Sequence, residues 1–224
     1  RFAVFFHKNG SNFHLNNDNA AVRMASGPNN LDTNWMDVVT TQAGPLMDAI
    51  SLHFYTTYQG EWTRRNEAPA TAFPQEHWNA ILYQASRMED VLNQHEAVME
   101  RTDPARRIGL YVDEWGTWYA PEPGTEPGHL YQQNTLRDAL VAAVNFNIFH
   151  RHADRVRMAN IAQAVNVLQA MLLTDGAAMA RTPTYHAFAM YLPFQDATVL
   201  PLDMASPMLT AAGEGDFPAL SATA

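Results

Sequence analysis

Apolar residues recur along the chain with two different periods, which predict alternating strands and helices. Short runs rich in β-branched and aromatic residues predict strands at residues 21–25, within 46–55, at 108–112 and at 156–161. Apolar positions three and four residues apart predict helices around residues 35–42, 74–100, 131–149 and 163–173. Four successive strand–helix units favour a parallel sheet with right-handed crossovers.

The pattern changes after Asp196, where short apolar runs broken by Pro, Gly and Ser predict strands at residues 197–202 and 218–222. A (β/α)8 barrel needs roughly 250 residues for eight units, whereas about 190 residues here supply four. A doubly wound sheet is less favoured because no glycine-rich phosphate turn follows a strand. We therefore predict an α/β fold, with the C-terminal half of a (β/α)8 TIM barrel at residues 1–192 and the beginning of an all-β domain at 193–224.

Composition narrows the function without identifying it. The 224 residues are 47% hydrophobic and 17% charged, which is typical of a globular protein. The net charge is −9 and Lys8 is the only lysine, so nucleic-acid binding is not expected and a neutral substrate is favoured. There is no cysteine, which excludes thiolate metal sites and disulfides. No run approaches the roughly 20 apolar residues of a membrane span, and we interpret the start at Arg1 as a cut end.

The strand at residues 108–112 runs directly into two carboxylates, Asp113 and Glu114. In parallel α/β proteins, reactive groups collect at the carboxyl ends of strands, where loops surround a crevice. Adjacent residues on an extended chain point to opposite faces, so these two are not expected to form a catalytic pair. Trp115 and Trp118 follow and can wall a sugar site, so we expect Glu114 to face the pocket. The alternative is a structural role, as a helix cap or a loop salt bridge.

Polar side chains also follow the other predicted strands, at residues 26–29, 53–55 and 161–163. On one rim they would form a ring of donors and acceptors, which suits a ligand rich in hydroxyl groups. A tyrosine hydroxyl such as that of Tyr55, donating to a carboxylate, would keep it ionised, as a nucleophile requires. The competing interpretation is ordinary strand packing for His53 and Tyr55, and a helix cap for Gln163.

Five segments together resemble the α-L-arabinofuranosidases of glycoside hydrolase family 51. The first is Asp-Glu-Trp-Gly-Thr-Trp-Tyr at residues 113–119, and the second is Ser-Leu-His-Phe-Tyr at 51–55. The others lie at residues 131–140, 152–163 and 182–188, so the resemblance covers most of the chain from about Val22 onward.

This resemblance implies a retaining, exo-acting glycosidase built on a (β/α)8 barrel with a C-terminal β-sandwich, whose strands five to eight are present here. It implies that Glu114 is the nucleophile at the end of strand seven. Tyr55, at the end of strand six, would hold the Glu114 carboxylate, with His53 close by. Gln163, after strand eight, would bind a sugar hydroxyl, and Trp118 would line the subsite.

The same resemblance implies terminal arabinofuranosyl residues of arabinan or arabinoxylan oligosaccharides as substrates. Family members are often intracellular in bacteria and often form homo-oligomers, so we expect a cytoplasmic protein, a possible homo-oligomer in the full-length enzyme. We predict that the protein needs no cofactor or metal and binds neither nucleic acid nor a membrane.

Retaining hydrolysis uses two carboxyl groups about 5 Å apart, a nucleophile and an acid/base. In this family the acid/base Glu follows an Asn at the end of strand four, so we expect it to lie before the start of this chain. Asn66-Glu67 has the same two residue types, but it lies in a polar loop beside Arg64 and Arg65 with no strand before it, so we do not expect Glu67 to be the acid/base. A catalytically inactive remnant, or a half-barrel that binds only sugar or a complementing chain, is the alternative.

A second constellation, His150, His152 and Asp154, has the alternate spacing that could hold a metal on an extended segment. It falls where a helix is predicted to end, and histidines there interact favourably with the helix dipole. We therefore expect a structural role for these residues.

Overall fold

The computed structural model describes residues 22–224. The first 21 residues of the first predicted domain, which include Ala21 of the first predicted strand, lie outside the described residues. Four strands form one sheet in the order β1-β2-β3-β4, and two further hairpins follow. The sheet strands are β1 (Met24–Ala25), β2 (Ala49–Thr56), β3 (Gly109–Thr117) and β4 (Val156–Ile161). The hairpins are β5 (Leu172–Asp175) with β6 (Ala178–Arg181), and β7 (Met208–Ala211) with β8 (Gly215–Pro218). The α-helices are α1 (Thr33–Ala43), α2 (Gln75–Ser86), α3 (Met88–Thr102), α4 (Leu136–Arg151) and α5 (Pro183–Tyr191).

The sheet is parallel, as the alternation of strands and helices predicts. β1 pairs with β2 in parallel. Between β2 and β3, Gly109 N donates to the Asp48 carbonyl at 2.9 Å and Trp118 N to the Thr56 carbonyl at 3.0 Å, so both strands run in the same direction. β4 is also parallel to β3, because Leu110 N donates to the Arg155 carbonyl and, further along both strands, Ala162 N donates to the Trp115 carbonyl.

The chain divides into two compact units. The first comprises the described residues up to Phe54 together with Asp90–Glu114 and His152–Ala159, and its core includes Ile50, Leu52 and Leu110, none of them exposed. The second comprises Tyr55–Glu89, Trp115–Arg151 and Asn160–Ala224. Its buried cluster consists of Ala68, Ala70, Ile81, Ala85, Tyr119 and Val141.

Helix ends follow from local chemistry. Asp32 caps α1, because its carboxylate accepts the backbone N–H of Trp35 at 2.9 Å. Thr182 caps α5 through the N–H of Tyr185, and Pro183 occupies the first turn, where a missing N–H costs nothing. No helix within residues 22–224 is long and apolar enough to cross a membrane.

Four predicted elements are wrong. The single helix predicted at residues 74–100 is two helices, separated at Arg87. Residues 163–173 are not helical: Asn166 takes a left-handed conformation, with φ of 53°, and the Ala164 carbonyl accepts the N–H groups of both Met171 and Leu172. Residues 197–202 form no strand, and of the strand predicted at 218–222 only Pro218 belongs to one.

Candidate active site

The loop after β1 is paired to the end of β2 at His53. His53 N donates to the carbonyl of Pro28 at 3.1 Å, and Asn30 N donates to the carbonyl of His53 at 2.8 Å. Asn30 has a φ of 54°, a left-handed conformation that asparagine tolerates better than most residues. Both the N–H and the C=O of His53 are therefore held by this loop.

Glycine is required at residue 27 by the close approach of the same loop to β2. A Cβ added at Gly27 would lie 1.5 Å from the carbonyl oxygen of Ser51, much closer than any non-bonded contact allows. The Gly27 N–H also donates to the hydroxyl of Ser51 at 2.8 Å. This contact lies two residues before His53 on β2.

A fully buried histidine of α3, His95, contacts the loop that follows β1. His95 Nε2 lies 2.6 Å from the carbonyl oxygen of Asn30, so Nε2 carries the proton of a neutral ring and donates it. Burial lowers the pKa of His95 below 6.5, and the bond to Asn30 and the charge of Asp32 only partly oppose this. His95 thus holds Asn30, whose N–H in turn donates to the carbonyl of His53.

We expect replacement of His95 by glutamine to flatten the pH dependence of stability. Because the pKa of His95 is lower in the folded chain than the ordinary 6.5, the unfolded chain binds its proton more readily, and the wild type loses stability as pH falls through 6.5. The amide of H95Q can still donate to Asn30 but does not titrate. Urea unfolding across this pH range measures the difference; parallel curves for both proteins would contradict the assignment.

Asp113 and Glu114 lie within β3, which continues past them to Thr117 instead of ending at Val112 as predicted, and both contact the imidazole of His53. Nε2 of His53 lies 3.1 Å from Oδ1 of Asp113, and Nδ1 lies 3.5 Å from Oε2 of Glu114. The expectation that two adjacent carboxylates point strictly apart is therefore too simple, because a ring with two nitrogens can reach both.

The two carboxylates differ in their environment. The Asp113 side chain is 19% exposed and the Glu114 side chain is 46% exposed. Burial raises the pKa of Asp113, and the neighbouring His53 opposes this rise. Glu114 is thus the carboxylate that an external molecule can reach more easily.

In the second unit, Tyr55 and Trp118 belong to an aromatic cluster with Trp62. The Trp118 ring lies 5.0 Å from Tyr55 and 5.1 Å from Trp62, both edge-on, with Tyr55 and Trp62 6.1 Å apart. The Arg65 guanidinium lies 4.5 Å from the centre of the Trp62 ring. The Trp118 Nε1–H donates to Oδ1 of Asn66 at 2.9 Å.

Trp62 and Arg65 were not predicted from the sequence. They lie in a polar loop after β2 that has no periodicity, so only the spacing of an aromatic and a basic residue in Trp-Thr-Arg-Arg-Asn could have indicated them. Gln163 follows Ala162, whose N–H donates to the Trp115 carbonyl at 2.9 Å. The Gln163 side chain is exposed and makes no hydrogen bond within residues 22–224.

The dipeptide Asn66-Glu67 has two separate contacts. Glu67 forms an exposed ion pair with Arg64 at 2.6 Å, while Asn66 accepts from Trp118. Glu67 is therefore engaged at the surface, in the loop predicted for it.

The three residues considered for metal binding have other partners. His150 packs against Tyr191 and Phe194, with ring centres 5.7 and 5.1 Å away. Nδ1 of His152 lies 2.9 Å from Oε1 of Glu96. Asp154 pairs with Arg106.

Comparison with known proteins identifies the family of this chain. Residues 113–223 match the family described as Alpha-L-arabinofuranosidase C-terminal domain. The chain is 44% identical over 206 residues to an intracellular exo-alpha-L-arabinofuranosidase of Bacteroides ovatus, covering 92% of this chain and 40% of that protein. It is 28% identical to an intracellular exo-alpha-(1->5)-L-arabinofuranosidase of Streptomyces lividans, covering 85% of this chain and 28% of that one.

A solved structure agrees. The crystal structure of the family 51 arabinofuranosidase from Xanthomonas axonopodis pv. citri superposes with a TM-score of 0.92 at 47% identity, covering 97% of this chain and 43% of that one. These relatives are hydrolases of glycosidic bonds. The chain belongs to the α-L-arabinofuranosidases of glycoside hydrolase family 51 and corresponds to their C-terminal region. It spans about two fifths of the length of the first of these relatives.

Proposed function

We propose that this chain forms the nucleophile-bearing part of a retaining, exo-acting α-L-arabinofuranosidase. The observation that carries the proposal is Glu114, a partly exposed carboxylate on a parallel strand, 3.5 Å from His53, in a chain 44% identical to a named exo-arabinofuranosidase. In the proposed architecture, β1 to β4 are strands five to eight of a (β/α)8 barrel. The residues from 193 onward begin a β-sandwich.

In the proposed reaction, Glu114 attacks the anomeric carbon of a terminal arabinofuranosyl residue as its glycosidic bond breaks. The leaving oxygen takes a proton from an acid/base carboxyl group, and the sugar remains as an ester of Glu114. Water, deprotonated by the same acid/base group, then hydrolyses the ester and restores the anomeric configuration. We propose that the acid/base group comes from protein outside this chain, as the resemblance implies.

The roles proposed for the other site residues are those that the resemblance implies. His53 lies between Asp113 and Glu114 and is proposed to orient the Glu114 carboxylate, and Tyr55 to hold it through its hydroxyl. Trp118 is proposed to line the sugar subsite, and Gln163 to bind a sugar hydroxyl. The exposed face of Trp62, 45% accessible, suits the apolar face of a second sugar ring.

Terminal arabinofuranosyl groups of arabinan or arabinoxylan oligosaccharides are the proposed substrates. An intracellular location is supported by the names of the Bacteroides ovatus and Streptomyces lividans relatives. A homo-oligomer remains a proposal from the resemblance alone.

The proposal is tested by a hybrid enzyme. This chain is joined to the parts of the Bacteroides ovatus relative that lie outside the match, and hydrolysis of 4-nitrophenyl α-L-arabinofuranoside is measured. We expect the hybrid enzyme to be active and to release arabinose with its original anomeric configuration, followed by proton NMR. A folded but inactive hybrid would contradict the proposal and favour the alternative, a half-barrel that binds only sugar or a partner chain.

A further inference from the structure

Three consecutive backbone N–H groups at the end of β3 are held by different parts of the second unit. Thr117 N donates to Oε1 of Gln169 at 2.8 Å, and Tyr119 N donates to Oε1 of Gln132 at 3.0 Å. Between them, Trp118 N donates to a β2 carbonyl at 3.0 Å. Two of the three acceptors are buried side-chain amides rather than strand backbone, so the orientation of the Trp118 backbone is fixed from both sides.

The side chain of Thr117 is fixed as firmly as its backbone. Its hydroxyl donates to Oδ1 of Asp138 at 2.9 Å, and Oδ2 of Asp138 accepts the backbone N–H of Thr135 at 2.7 Å. Thr117 and Asp138 are both fully buried. Burial raises the pKa of Asp138, and the hydrogen bonds from Thr135 and Thr117 oppose this rise. A buried carboxylate of this kind needs its donors, so loss of the Thr117 hydroxyl has consequences beyond one bond.

Gln169 joins the two parts of this network. While its oxygen accepts from Thr117, its Nε2 donates to the carbonyl of Asp138 at 2.6 Å and to the hydroxyl of Thr184 at 3.2 Å. Next to it, Gly116 has a φ of 136°, and a Cβ there would lie 3.2 Å from Oε1 of Gln169. Both the oxygen and the nitrogen of the Gln169 amide are therefore hydrogen-bonded. The residue beside this amide, Gly116, has a backbone conformation that favours glycine.

From this arrangement we infer that Thr117, Asp138 and Gln169 are positioning residues for Trp118. They hold the backbone so that the indole stands edge-on to Tyr55 and Trp62. The consequence for sugar binding rests on the proposed function, whereas the consequence for the position of the indole does not.

A matched pair of variants at Thr117 tests the inference. T117V has the same shape without the hydroxyl, and T117S keeps the hydroxyl. The 224-residue chain is labelled with 5-fluorotryptophan, which gives one 19F signal for each of its five tryptophans, assigned by single Trp→Phe substitutions. We expect the Trp118 signal to shift or broaden in T117V, with Trp35 and Trp78 unchanged, and all signals of T117S to match the wild type.

A second pair decides the matter if T117V does not fold. Q169E keeps an acceptor for the Thr117 N–H, whereas Q169L does not, so the Trp118 signal should move further in Q169L. Folded T117V or Q169L with a wild-type Trp118 signal would show that the network only stabilises the fold, and would overturn the inference.

Binding of 4-nitrophenyl α-L-arabinofuranoside to the same proteins separates this inference from the proposed function. We expect T117V to bind about fivefold more weakly than T117S, the ratio produced by loss of one hydrogen bond of ordinary net strength. If the wild-type chain does not bind this probe but the Trp118 signal moves as expected, sugar binding by the chain fails and the positioning role stands. Equal binding by T117V and T117S, with an unmoved Trp118 signal, would count against the positioning role.

Discussion

Glu114→Ala is expected to lower kcat of the hybrid enzyme by about 10⁴-fold or more, as loss of a covalent nucleophile does in other enzymes. Without the carboxylate, no ester with the sugar can form. Asp113 does not replace it, because its side chain is 19% exposed and lies 3.1 Å from Nε2 of His53. Steady-state hydrolysis of 4-nitrophenyl α-L-arabinofuranoside measures the effect.

Two controls make this result specific. Azide added to Glu114→Ala should restore turnover and yield the arabinofuranosyl azide of inverted configuration, because a small anion then occupies the place of the nucleophile. Glu67→Ala should stay within about twofold of the unsubstituted hybrid, because loss of an exposed ion pair has little energetic effect. Near-normal turnover by Glu114→Ala, or equal losses in both variants, would rule out Glu114 as the nucleophile.

Gly27→Ala is expected to destabilise the chain by about 3 kcal/mol or more, the upper range for forcing atoms into a filled space. The new Cβ would lie 1.5 Å from the Ser51 carbonyl oxygen, and backbone cannot move aside as the end of a flexible side chain can. The loop after β1 would have to separate from β2, which would also release His53. Urea unfolding of the 224-residue chain measures the loss.

Gly44→Ala is the matched control in the same unit. Gly44 has a φ of −47°, an ordinary helical value, and its added Cβ would meet only the Cδ1 of Ile108, at 3.5 Å. We expect a change within about 1 kcal/mol, since alanine is favoured over glycine in helical backbone. Equal losses of stability in Gly27→Ala and Gly44→Ala would mean that the close approach to Ser51 is not the reason why residue 27 must be glycine.

Part of the site could be predicted from the sequence. Alternation of apolar residues located β2, β3 and β4, and the parallel arrangement brought His53 to Glu114 as expected. The pattern does not reveal where a strand ends when polar residues continue it: β3 runs to Thr117, beyond the predicted end at Val112.

Contacts made by irregular segments could not be predicted. Gln169 lies in a stretch with helical spacing, but its amide hydrogen bonds to three groups of the second unit that are distant in sequence. Trp62 and Arg65 reach Trp118 through a loop without periodicity. In both cases tertiary contacts outweigh local propensity, and the periodicity of the sequence does not indicate them.

The two hydrogen bonds that align β3 with β2 have a consequence for the length of β3. Eight residues separate Asp48 from Thr56, but nine separate Gly109 from Trp118, so β3 accommodates one extra residue as a β-bulge. Inserting one more residue into β3 before Trp118 would widen this mismatch and turn the later side chains of the strand, including Trp118, to the opposite face. This strand is therefore expected to tolerate substitution at its exposed positions far better than an insertion.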